Sequence, residues 1–101
     1  MLKFLLAVTV LMGAQTVSAS PYFDSEKPVL CGPTQDMFKA LMEQFKEEPT
    51  WLGNDAKNQS KYTLFINPSN GTWTLVQYTS DLSCIIGTGS KSKIIPPKST
   101  I

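Results

Sequence analysis

The stretch Lys61-Tyr62-Thr63-Leu64-Phe65-Ile66-Asn67-Pro68-Ser69-Asn70-Gly71-Thr72-Trp73-Thr74-Leu75-Val76-Gln77-Tyr78-Thr79 decides the fold. From Lys61 to Asn67, Tyr62, Leu64 and Ile66 fall on one side and Thr63 and Phe65 on the other, the period-two pattern of a strand. Residues 67–71 are a cluster of turn formers, and Asn70-Gly71 favours positive φ. Thr72 to Thr79, rich in Thr, Trp, Val and Tyr, reads as the next strand.

Toward the C-terminus, Ser80-Asp81 marks a second turn and Leu82 to Thr88 a third strand, with Leu82, Cys84 and Ile86 on one face. Gly87 and Gly89 break it. Residues 90–101 carry three Lys, Pro96-Pro97 and no periodicity, and are expected to form a disordered basic tail.

Toward the N-terminus, Asp55 to Ser60 is a polar connection, and Trp51-Leu52-Gly53-Asn54 fits either a short strand or a loop. Met37, Phe38, Leu41, Met42 and Phe45 recur at helical spacing. Gly32 suits the N-cap and Pro33 the first helical position, while Pro49 is expected to end the helix. The apolar stripe is the core face of the only helix or, in the rarer case, a partner-binding face.

Two cysteines are present, Cys31 and Cys84. In a small exported domain such a pair reads as a disulfide, which supplements a core too small to be secure alone. If Cys31 opens the helix, its Cα can approach that of Cys84 only when the helix start lies over the last strand. Leu82 and Ile86 then face the helix, and Ser83 and Ile85 fall on the opposite face. The expected fold class is α+β, with one N-terminal helix packed on a three- or four-stranded antiparallel meander and tied by one disulfide.

The first nineteen residues read as an address. Lys3 gives a positive start, Phe4 to Met12 is interrupted only by Thr9, and Val17-Ser18-Ala19 presents small residues for a signal peptidase. Residues 1–19 are therefore expected to be a cleaved signal peptide, and an uncleaved membrane anchor is the rival reading. Residues 20–30, with Pro21 and Pro28, form a loose leader, and 31–89 a single domain. The expected location is the periplasm or the exterior, with no membrane contact after cleavage.

Cys31-Gly32-Pro33, the amphipathic helix, Gly71-Thr72-Trp73-Thr74 and Cys84-Ile85-Ile86-Gly87 together resemble a group of small, functionally uncharacterised exported proteins of Gram-negative bacteria, marine ones among them, and of their phages. The resemblance covers residues 31–89. It implies an exported, disulfide-bonded chain and no activity. The turn before the second Cys often reads Asp-Gly in that group and is Asp81-Leu82 here, which puts the turn type in question because Leu disfavours positive φ.

Chemistry is constrained by what is missing from the sequence. The 101 residues hold nine Lys, no Arg, eight acids and no His, for a net charge of +1. That balance argues against a nucleic-acid binder. Absence of His removes the commonest general base and metal ligand, and two distant Cys cannot cage zinc. No catalytic, metal or cofactor residues are expected. Charge is uneven: residues 20–55 hold seven acids and three Lys, whereas 56–101 hold five Lys and one acid, Asp81. Asn58 and Asn70 lie in glycosylation sequons, which matter only if the source glycosylates.

Aromatic residues remain. Trp51, Tyr62, Trp73 and Tyr78 could line a recognition face, although most such rings in small domains are core. The expected function is a non-enzymatic exported domain that binds an envelope or extracellular protein or a ligand through the sheet face away from the helix. Trp51, Trp73 and Tyr78 are its candidate binding surface. The alternative is an inhibitor of an envelope or foreign hydrolase, its basic half meeting an acidic cleft.

Overall fold

The computed structural model describes residues 20–98; the expected signal peptide and the last three residues of the tail lie outside the described residues. The elements are β1 (Leu30–Pro33), α1 (Thr34–Glu43), β2 (Glu48–Asn54), β3 (Lys61–Ile66), β4 (Trp73–Tyr78) and β5 (Leu82–Gly89). They build a five-stranded sheet in the order β1-β5-β4-β3-β2, every neighbouring pair antiparallel. β2 to β5 are a meander, and β1 adds to its far edge. α1 therefore connects the two edge strands.

The expected helix, antiparallel meander and Cys31–Cys84 disulfide are all present, but the sheet has five strands rather than three or four. Trp51–Asn54, which fits either a strand or a loop by sequence, is the C-terminal part of β2, while β1 and the start of β2 are the additions and come from the flanks of the helix. Cys31 does not open a helix. It lies in β1, directly opposite Cys84, with a Cα–Cα separation of 4.0 Å. Pro33, not Gly32, is the N-cap. The helix is anchored by Thr34, whose N–H donates to Asp81 O at 3.2 Å and whose hydroxyl donates to Thr79 O at 2.9 Å.

The helix also ends before Pro49 can act on it. Lys46 adopts a left-handed φ of 55°, and the Glu47 N–H bonds back to Leu41 O at 2.9 Å. A left-handed residue reverses the chain at a helix end. Glu48 and Pro49 then begin β2, and the register shifts between Pro49 and Trp51. Proline is admissible there because β2 is an edge strand with a bulge. Thr63 Oγ1 donates to Trp51 O at 2.9 Å and holds the bulged strand in place.

The disulfide joins two strands, so it does not decide which face the helix covers. Ser83, with 0 % exposure, lies beneath the helix, its hydroxyl within donating reach of Gly32 O at 3.3 Å and Met37 Sδ at 3.1 Å. Leu82 is 54 % exposed. Ser83 and Ile85 thus face the helix, and Leu82 and Cys84 the other side, the reverse of the expectation. The β4–β5 register shifts between Leu75 and Val76, leaving Ile86 as the extra residue.

Leu41, Phe65 and Val76 form the core, with Met37, Phe38 and Tyr78 packed on it. The Phe38 ring meets Phe65 and Tyr78 edge-on, with centroids 5.0 and 4.9 Å away. Met42 and Phe45, the last two positions of the predicted stripe, are exposed.

Gly71 supplies the expected positive φ, 78°, in the β3–β4 turn. The β4–β5 turn needs none. Thr79 N–H donates to Leu82 O at 2.8 Å, and the Thr79 hydroxyl accepts from Leu82 N–H at 3.2 Å. A threonine side chain thereby stands in for the glycine that an Asp-Gly turn would use. Beyond β5 the chain forms no helix or strand through Lys98, and Ser92 N–H donates to Gly71 O at 2.9 Å. Among the described residues, no helix is long and apolar enough to cross a membrane.

Candidate functional site

Directly opposed residues in an antiparallel sheet share a face. The face away from α1 can therefore be read row by row. Its central row runs Trp51, Leu64, Leu75, Gly87. On one side lies Glu48, Ile66, Trp73, Gly89, and on the other Gly53, Tyr62, Gln77, Cys84, Cys31. Glu48, at the β2 edge, is the one charged side chain in these rows.

Both indoles lie over glycine. A Cβ built on Gly53 would stand 2.6 Å from Trp51 Cη2, so the ring reaches along its own strand onto bare backbone. A Cβ on Gly89 would stand 2.9 Å from Trp73 Nε1, and one on Gly87 3.4 Å from Trp73 Cζ3. Gly87 and Gly89, expected to break the third strand, lie within β5 and are the seat of an indole. Side chains there would lift the ring off the sheet. Trp51, at the β2 edge, is 55 % exposed, and Trp73 is half-buried.

Polar groups border this surface at the end that carries the disulfide. Tyr62 Oη donates to Asp55 Oδ2 at 3.2 Å, and Asp55 Oδ1 accepts from the N–H groups of Lys57 at 2.7 Å and Asn58 at 3.3 Å. These bonds, the Lys57 N–H foremost, hold the Asp55 carboxyl below the usual carboxylate value. Desolvation, followed by the bond to Asp55 and its negative charge, raises the Tyr62 phenol above its usual value. Gln77 Nε2 donates to Ser60 Oγ at 3.0 Å. A depression of about 310 Å³ beside the disulfide is lined in part by Gln77, Leu82 and Cys84.

The sequence candidates separate. Trp51 and Trp73 share the helix-free face, and Cys31 and Cys84 close the disulfide at its end. Tyr78 does not join them, because its ring packs against Phe38 beneath the helix. Positions 73 and 78 differ by an odd number within one strand, so alternation already places them on opposite faces. Tyr62 is the tyrosine that belongs to the surface. Both thiols are consumed by the disulfide. Among the described residues, no group of three His, Cys, Asp or Glu converges as a metal site. Comparison with protein-family models, curated proteins and solved structures found no match.

Proposed function

We propose that this chain is a small exported, non-enzymatic domain that binds an envelope or extracellular protein through the helix-free face of its sheet. One observation carries the reading: Trp51 and Trp73 occupy that single, largely uncharged face, each spread over glycine backbone. Tryptophan is the residue most enriched where binding energy concentrates, and a ring braced on backbone loses little freedom when a partner covers it. The disulfide supports an oxidising compartment.

The test is cross-linking of the tagged mature chain in its native host, followed by affinity measurement with the protein it captures. Trp51→Ala/Trp73→Ala should weaken that affinity by about two to three orders of magnitude, because two buried indoles are each worth about 2 kcal/mol or more at an interface. Met42→Ala, on the exposed side of α1, should leave it unchanged. Equal affinity of the double variant and the parent rejects the reading.

A further inference from the structure

On the other face of the sheet, the C-terminal end of α1 and the ends of β4 and β5 enclose a cavity of about 240 Å³. Its most buried lining residues are Leu41, Glu47 and Thr74, and Phe45 and Thr88 are exposed at its edge. Glu47 is only 3 % exposed, and its Oε1 is buried with no hydrogen-bond partner among the described residues. A buried carboxylate oxygen without a donor is costly and calls for a specific explanation. We infer that this cavity is a binding site for a primary ammonium group carried on a short aliphatic stem.

The hydroxyls give the sign of the ligand. Thr88 Oγ1 donates to Trp73 O at 3.0 Å. Its proton is thus committed, so in the 3.5 Å contact between the Thr74 and Thr88 hydroxyls, Thr74 is the donor. Thr74 is left with lone pairs only, and the carboxylate likewise only accepts. No lysine lines the cavity. The Thr72 hydroxyl is the lining's one uncommitted donor, a neutral one, so the complement to the carboxylate must bring positive charge with further N–H donors, and an ammonium brings three at once.

Other ligand classes fit less well. An anion would meet a carboxylate and acceptors. A hard divalent cation wants six or more oxygens, usually with several carboxylates, and Glu47 is the single carboxylate in the lining. A purely apolar ligand would leave Oε1 unpaired. Leu41, Phe45 and Ile85 supply walls for a stem, and the exposed Phe45 ring adds a face that attracts cations. The volume lies below the usual range for drug-sized ligands, about 300–1,000 Å³, and suits a group of lysine side-chain size. Such an ammonium belongs either to a free small amine or to a lysine side chain of another protein.

The experiment is an NMR titration of the mature chain with n-butylammonium and, separately, with Nα-acetyl-lysine N-methylamide. 1-Butanol is the uncharged control and Ca²⁺ the metal control. Saturable shifts at the amides of Glu47, Thr74 and Thr88 are expected with n-butylammonium and none with butanol. A response to the capped lysine as well assigns the site to protein side chains; a response to the free amine alone assigns it to small amines. Glu47→Gln should weaken binding by about tenfold or more, the loss of one charge-assisted bond. It should also raise the melting temperature, since a functional buried charge is held at the expense of stability. Thr74→Val, nearly isosteric, should weaken binding in a fold checked by the same spectrum. The inference fails if neither amine gives saturable shifts, if Glu47→Gln binds as the parent does, or if Ca²⁺ reproduces the shifts.

Discussion

Trp73 lays its indole on Gly89 of the adjacent strand, so closely that a Cβ there would stand 2.9 Å from Nε1 and 3.0 Å from Cε2. Van der Waals contact cannot absorb such an approach, so either the ring or the strand must move. Gly89→Ala should therefore cost about 1–2 kcal/mol in urea unfolding, the range of modest overpacking, and shift tryptophan emission to the red. Gly32→Ala is the control. Nothing lies within 4 Å of a Cβ at Gly32, and the change should be within about 1 kcal/mol of neutral. A neutral Gly89→Ala with unaltered emission would contradict the packing.

The disulfide links Cys31 and Cys84 across a sequence separation of 53. Closing a loop of that length removes denatured-state entropy worth about 4 kcal/mol. Cys31→Ala/Cys84→Ala should lose much of that figure in equilibrium unfolding. Because β1 is an edge strand of four residues, it should also lose amide-exchange protection before β3 and β4 do. Uniform protection across all strands in the double variant would show that β1 does not depend on the bridge.

Much of this architecture could be read from local pattern, and the parts that could not have identifiable physical causes. β3 and β4 follow from strict alternation and from the Asn-Gly turn between them, and the disulfide from cysteine count. β1 escapes such reading because Leu30-Cys31-Gly32-Pro33 has no strand propensity of its own; it is a strand because Cys84 lies opposite. β2 begins with Glu48-Pro49, which looks like a helix end, and only the edge position and the bulge make proline acceptable there. Alternation divides each strand into two faces without saying which one the helix covers, and that choice rests on long-range packing of Phe38 on Phe65. Trp51 and Trp73 stood out as aromatic residues in search of a role. Adjacent Glu47 and Glu48 read from the sequence as a solvated helix end rather than an acid–base pair, but Glu47 is 3 % exposed, because the left-handed turn at Lys46 carries it inward.

The Asp55–Tyr62 bond gives the stability a pH signature at both extremes. Asp55 has a folded value below its ordinary 3.8, so the unfolded chain binds more protons just below that pH. Its contribution is present above 3.8 and is lost as pH falls toward the folded value. Tyr62 has a folded value above 10.0, so its contribution is present below 10.0 and is lost as pH rises past it. Tyr62→Phe should flatten the alkaline loss and reduce the acid one, because Lys57 and Asn58 still donate to Asp55. Unfolding midpoints measured across both limbs check this; an alkaline limb unchanged in Tyr62→Phe would assign it to other groups.

Asn67 ties the helix exit to the β3–β4 turn, and its replacement should be the most damaging polar change in the domain. Its side chain is almost wholly buried, and each end is engaged. Nδ2 donates to Phe45 O at 3.0 Å, and Oδ1 accepts from Ser69 N–H at 2.7 Å and from Asn70 N–H at 3.1 Å. Its backbone is committed as well, with N–H donating to Thr72 O at 2.8 Å and C=O accepting from Gly71 N–H at 2.9 Å. Alanine would lose all three bonds, each worth about 0.5–1.5 kcal/mol, because the freed groups of the exposed residues Phe45, Ser69 and Asn70 can turn to water only in part of their former geometry. Asn67→Ala should therefore destabilise by about 3 kcal/mol. Asn67→Asp keeps the two acceptor bonds and loses only the donor to Phe45 O, so it should fall between parent and Ala near neutral pH. Its deficit should shrink in mild acid, where a protonated carboxyl can again donate to Phe45 O. Equal destabilisation by the two replacements at every pH would mean that the side chain acts through shape rather than through these three bonds.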